Sequence, residues 1–188
     1  MCGNHHVILA TKRGSGYFDY MRTLIFLRHG KAVPHGAAPD FERPLTEKGK
    51  RDSLAAGTLL KEAGIVPDIA LVSPALRTRM TWNEAQRELP PIHETLLPAL
   101  YQASSDDILA IIHEMDDMMG SVCVVGHNPA LHEIAVRLAK SSKARKDIGD
   151  HFPPGSLIVL RFETTEFRSI RDGSGKVVLF QRPEDPRG

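Results

Sequence analysis

The chain has 188 residues, a formal net charge of +1, 41% hydrophobic residues and 25% charged residues. At about 150 residues per domain that is one domain with a core of its own, and the composition is globular rather than that of a disordered polyelectrolyte. The near-neutral balance excludes a nucleic-acid binder recognised by charge, and no apolar run approaches the ~20 residues of a membrane span.

Residues 1–20 stand apart from the rest of the chain. Their apolar run, 7–10, is shorter than the ~7–15 residues of a secretory core, and Lys12, Arg13, Gly14 and Gly16 make the stretch loop-like. We read 1–20 as a non-core extension, upstream even of the natural start, and 21–188 as the domain; the alternative is an extra edge strand at 7–10. His5 and His6 are adjacent, but nothing near them completes a metal site. Cys2 and Cys123 are too few for a disulfide framework, which points to a reducing compartment and a cytoplasmic protein.

The run TLIFL at 23–27 predicts a buried strand that ends in Arg28-His29-Gly30. A loop with Pro and Gly spans 31–45. Thr46 then caps a helix to about Ala63, stopped by Gly64. Residues 67–72 (PDIALV) predict a second strand. Ser73 as cap and Pro74 at the first helical position predict a helix reaching about Glu88. Residues 92–97 read as a third strand. Ser105 is the expected cap of the next helix, where Ile108, Ile111, Ile112 and Met115 fall at i, i+3, i+4 and i+7.

Residues 122–125 predict a fourth strand. Asn128-Pro129 opens a helix with Leu131, Ile134, Ala135 and Leu138 on one face. Residues 140–154 look polar and irregular. Residues 157–162 and 177–180 read as late strands, an antiparallel pair at the edge, followed by a frayed Pro-rich tail. Strands alternating with helices predict an α/β protein, a three-layer α/β/α sandwich on a mostly parallel sheet.

The candidate chemistry sits at the ends of strands. Strand one ends in Arg28-His29, strand two runs into Ser73-Pro74-Ala75-Leu76-Arg77, and strand four ends in Gly126-His127-Asn128-Pro129. In a parallel sheet these ends face one crevice, where ligands bind. Two arginines and two histidines converging there suit a phosphoryl group. Arginine presents a planar fork that matches phosphate oxygens. A neutral imidazole can attack phosphorus. A second imidazole can donate to the oxygens of the transition state, and backbone N–H groups after Asn128 can add to the anion site.

These motifs resemble the histidine phosphatase superfamily, the phosphoglycerate mutase-like group. Arg28, His29 and Gly30 match its opening motif, Ser73, Pro74 and Arg77 its second-arginine segment, and Gly126 and His127 its late motif. Within the group the chain is most similar to the small SixA-type phosphohistidine phosphatases. The matching residues are Arg28 to Ala32, then Asp40, Arg43, Pro44, Leu45, Thr46 and Gly49, then Gly126 to Pro129. The resemblance implies a phosphoglycerate mutase-like fold, His29 as the phosphate-accepting nucleophile, and Arg28, Arg77 and His127 as the cradle. Arg43 is either a substrate-binding residue or a salt-bridge partner that orders its loop, and Asn128 is a helix cap rather than a catalytic residue.

One departure bears on substrate. Many members use a carboxylate as general acid at the end of the strand around 94–101, where this chain has Ala99. Glu94 is the nearest acid; Asp40, Glu42 and Asp106 are weaker candidates. An ester releases a poor alkoxide leaving group unless it is protonated, whereas phosphohistidine releases imidazole, whose conjugate acid has a pKa of about 6.5. General-acid help is worth about 10²–10⁴-fold, so its loss favours a phosphoramidate. The expected activity is therefore metal-independent hydrolysis of phosphohistidine, on a protein such as a phosphotransfer domain, with no cofactor, nucleic acid or membrane partner. The alternatives are a phosphatase for small phosphomonoesters, and an idle domain that binds phosphorylated molecules without turnover.

Other phosphoryl chemistries fail on spacing. Pro129 stands where a Cys-x5-Arg motif starting at Cys123 needs arginine, Val177 follows Gly175-Lys176 where a P-loop needs Ser or Thr, and Gly14-Ser15-Gly16 lacks the third glycine of a dinucleotide fingerprint.

Overall fold

The computed structural model describes residues 21–183. The predicted extension 1–20, with Cys2, His5 and His6, and the end of the tail lie outside the described residues. The strands are β1 (Arg22–Arg28), β2 (Ile69–Val72), β3 (His93–Leu96), β4 (Ser121–Gly126), β5 (Leu157–Phe162) and β6 (Lys176–Gln181). The helices are α1 (Glu47–Glu62), α2 (Leu76–Ala85), α3 (Ser105–His113), α4 (Ala130–Leu138) and α5 (Ser142–Asp150).

All strands join one sheet of order β3-β2-β4-β1-β5-β6. β3, β2, β4 and β1 run parallel, while β5 is antiparallel to β1 and β6 antiparallel to β5. The central strands β1, β2 and β4 are covered on both faces, which is why they read as continuous apolar runs rather than alternating ones. Towards α1 and α2 point Ile25, Leu27, Ala70, Val72, Cys123 and Val125, packed around Ala56, Leu60 and Trp82. Towards α3, α4 and α5 point Leu24, Phe26, Leu71, Val122 and Val124, packed around Ile112, Leu131, Ile134 and Ile148. This is the three-layer sandwich. Burial raises the Cys123 thiol far above its ordinary pKa, so it is an inert core residue.

Local signals explain most boundaries. Thr46 caps α1 by accepting from the Gly49 N–H at 3.1 Å. At the other end Gly64 takes a left-handed φ of 65°. The Gly64 and Ile65 N–H groups donate back to the Lys61 and Leu60 carbonyls, which closes the helix with a Schellman turn. α1 lies flush on α2 because Gly57 has no side chain: a Cβ there would stand 1.9 Å from the Ala85 carbonyl oxygen.

The structure corrects four details. Ser104, not Ser105, caps α3, in a capping box with Asp107. Ser73 does not cap α2, which begins at Leu76 after Ala75. Asn128 does not cap α4; Pro129 precedes its first turn and no side chain caps it. Within 140–154 lies α5, capped by Ser141; among its residues only Ile148 is fully buried, so its sequence carries almost no apolar period.

Candidate active site

Parallel register brings the strand ends level. Leu27 pairs with Val125, and Val72 pairs with Val125 from the other side. The chain therefore leaves β1, β4 and β2 with Arg28-His29, Gly126-His127 and Ser73 side by side. The His29 and His127 ring centroids lie 5.3 Å apart. Arg77, in the first turn of α2, lies 5.9 Å over the Tyr101 ring, and Tyr101 meets His127 edge-on at 5.6 Å.

His29 is held in one tautomer. Its Nδ1 lies 2.9 Å from the Gly30 carbonyl oxygen, which can only accept, so Nδ1 carries the proton and Nε2 keeps its lone pair. Gly30 is fixed in turn by its own N–H, which donates to Thr81 Oγ1 at 2.9 Å. A side chain could not replace it, since a Cβ would stand 2.6 Å from the Gly49 carbonyl oxygen and 2.8 Å from Ser53 Oγ. Burial pushes the His29 imidazole down to about 3; its bond to Gly30 opposes this, while His127, Arg28 and Arg77 reinforce it. The ring is neutral at pH 7 and nucleophilic at Nε2.

His127 is poised as a donor. Its Nε2 lies 2.8 Å from Ser73 Oγ, and its buried Nδ1 has no protein partner. In the tautomer in which the Ser73 hydroxyl donates to Nε2, Nδ1 bears the hydrogen and can donate it to an anion. Burial, then Arg77, lower this imidazole to about 4.

The two arginines are each anchored by part of the guanidinium. Arg28 Nη1 donates to the Phe152 carbonyl at 2.7 Å, and its buried Nε has no protein partner. Arg77 Nη1 and Nη2 donate to the Asp40 carbonyl and to Asp40 Oδ2 at 2.6 and 3.1 Å, and its Nε is likewise unpartnered. Unsatisfied buried donors are costly in an ordinary core; gathered here, they are the donor set of an anion site. Burial lowers Arg28 to about 10, which leaves it cationic at neutral pH.

Arg43 points into its own loop. It is 7% exposed, contacts Asp40 Oδ1 through Nε and Nη2 at 3.0 and 2.8 Å, and donates to the Val33 carbonyl at 2.9 Å. Those contacts order the loop 31–45. Asn128 Nδ2 donates to the Phe152 carbonyl at 3.0 Å, the same oxygen that anchors Arg28. Glu94 pairs with Ala70, two residues before the end of β2 and on the α1–α2 face, away from the crevice. Asp106 is paired with Arg137 at 2.7 Å.

Asp40 is the carboxylate that touches the cradle. The Tyr101 hydroxyl donates to Oδ2 at 2.8 Å, and with Arg43 and Arg77 it holds the carboxyl well below the usual range, hence ionised. Tyr101, Ser73 Oγ and the Phe152 carbonyl are site groups that the sequence alone did not single out. Among the described residues no cluster of His, Cys, Asp or Glu could hold a metal ion, and no helix is long and apolar enough to cross a membrane.

Two neighbouring imidazoles and two arginines with unpartnered donors at the ends of a mostly parallel sheet are an arrangement suited to phosphoryl transfer, and similarity to known proteins narrows the class. No family model matches the chain. An uncharacterized protein of Mycobacterium tuberculosis is 30% identical over 162 residues, 84% of this chain and 99% of that one. SixA of Nakamurella multipartitia, provisionally assigned as a phosphohistidine phosphatase, superposes with a TM-score of 0.74 at 28% identity, over 87% of this chain and 96% of that one. SixA of Agrobacterium tumefaciens, with the same provisional assignment, gives 0.73 at 26% identity, over 86% of this chain and 98% of that one. The chain belongs to the histidine phosphatase superfamily, on its SixA-type branch, and is a phosphatase by class.

Proposed function

We propose that this protein hydrolyses phosphohistidine on a protein, through a phosphohistidine intermediate at His29. His29 Nε2 attacks phosphorus in line, and the P–N bond to the substrate ring breaks. Arg28, Arg77 and His127 Nδ1–H stabilise the charge on the equatorial oxygens. Water then attacks the phosphoryl group on His29, releasing phosphate and the neutral imidazole.

The observation that carries the reading is the state of Asp40. The carboxylate nearest the cradle is held ionised by Tyr101, Arg43 and Arg77, so it has no proton to give an alkoxide. A leaving imidazole that brings its own proton does not require one. A protein substrate is further supported by Phe41 and Leu96, large apolar residues 44% and 43% exposed at the crevice end of the sheet.

The test compares a histidine-phosphorylated phosphotransfer domain with p-nitrophenyl phosphate, with His29→Ala as control for both. The phosphoprotein is expected to be cleared far faster, and the variant to lose about 10⁴-fold or more in kcat on either substrate. Turnover of the aryl ester alone would make the protein a phosphatase for small esters.

A further inference from the structure

Resting on the phosphohistidine reading, we propose that Asp40 is a specificity-determining residue that receives the ring N–H of the departing imidazole and holds that proton in place. His29 is partly buried, with its approach from solvent, so in-line attack drives the leaving group outward. The rim on the Arg77 side is built by Asp40, whose side chain is 42% exposed. An imidazole already lies near this carboxylate: His35 Nδ1 is 3.5 Å from Asp40 Oδ1, the oxygen that also takes Arg43, on a side chain that is 82% exposed. Arg43, Arg77 and Tyr101 fix the carboxylate from behind.

The proton balance explains why a carboxylate belongs there. The reactive substrate ring is phosphorylated on one nitrogen and protonated on the other. As the His29 Nε2–P bond forms, the P–N bond of the substrate breaks and its electron pair returns to the ring nitrogen. The ring leaves as neutral imidazole only if the proton on its second nitrogen has stayed; otherwise it must leave as imidazolide. An ionised carboxylate at that N–H favours the protonated ring. The same carboxylate repels the phenolate or alkoxide that forms from an ester. Gly30 performs the matching task on the enzyme's ring, because its carbonyl holds the Nδ1 proton of His29. Phospho-His29 is then already protonated and leaves as neutral imidazole in the second step.

The experiment measures kcat/KM for phosphoimidazole and for p-nitrophenyl phosphate in the wild type, Asp40→Asn, Asp40→Glu and Tyr101→Phe. Melting temperatures confirm that each variant is folded. Asp40→Asn is expected to lower the phosphoimidazole-to-ester ratio by at least about tenfold, while Asp40→Glu and Tyr101→Phe, which keep the charge, retain most of it. A wild-type preference that survives intact in Asp40→Asn, or an equal fall on both substrates, overturns the role of Asp40 and leaves the phosphohistidine reading standing. A wild type with no preference for phosphoimidazole overturns that reading itself, and this inference with it.

Discussion

β1 carries an arginine at each end, Arg22 buried and Arg28 partly buried, and the two are treated differently. Arg22, at the start, donates to the Asp117 and Thr165 carbonyls, lies 5.4 Å over the Phe167 ring, and has the Asp117 carboxylate 4.0 Å from its Nε. Its charge is answered within the protein. Arg28, at the other end, has one carbonyl, that of Phe152, and no ion-pair partner among the described residues. A partly buried cation without a counter-charge is costly, and under the proposed function an arriving phosphoryl group supplies that charge. Arg22 is the more buried of the two, and the Nε of each lacks a hydrogen-bond partner; what separates them is the carboxylate beside Arg22.

That contrast can be broken experimentally. Arg28→Met should cut kcat/KM by about 10²–10³-fold, the scale of losing a transition-state donor. Its melting temperature should hold or rise, because an uncompensated, partly buried charge has gone. Arg22→Met should do the reverse. It leaves turnover per folded molecule unchanged and costs about 1–3 kcal/mol in a denaturant titration, since carbonyls that accepted from a charged group lose their donor. Equal stability losses in both variants would abolish the distinction.

A smaller effect tests the donor role of His127. Removing the hydroxyl in Ser73→Ala should lower kcat about tenfold with little change in KM, since the interaction is made to the transition state. ¹⁵N spectra should show the His127 ring leaving its Nδ1–H tautomer. An unchanged tautomer would mean that Ser73 only packs.

A separate test concerns stability in acid. In the unfolded chain both imidazoles titrate near 6.5, whereas in the fold burial holds His29 to about 3 and His127 to about 4. Between those values the unfolded chain binds protons that the folded one refuses, so stability falls as pH drops below about 6.5. The melting temperature at pH 4.5 should lie about ten degrees below that at pH 7, and His127→Gln should flatten the slope. At pH 4.5 the stability contributed by Asp40, lost only as pH falls below its unfolded pKa of about 3.9, is still present.

Much of the fold and site is legible in the sequence because strand ends announce themselves. The runs before Arg28, Ser73 and Gly126 are apolar throughout, as doubly covered strands must be, and the polar residues after them mark where each strand enters the crevice. The missed groups share a different property. Tyr101 matters through Asp40, 61 positions away in the chain, and the Phe152 group that anchors Arg28 is a backbone carbonyl, which no residue type signals. Ser73 looks like a helix cap because Ser-Pro commonly is one; its hydroxyl instead goes to His127, a partner only the sheet could supply. α5 is hidden because one buried isoleucine does not make a period.

The anchoring carbonyl of Phe152 also bears on how the protein is made. His29 leaves the ribosome early, yet the Arg28 N–H finds its acceptor at Ser156, the Arg28 side chain finds its own at Phe152, and the carbonyl of His29 is held by the Gly155 N–H. A nascent chain that has reached Asp150 contains His29, both arginines and His127, with the contacts that hold Arg77 to Asp40 and His127 to Ser73, but lacks the carbonyl that anchors Arg28. The anchor of Arg28 comes only with the segment between α5 and β5, which closes against the end of the first strand.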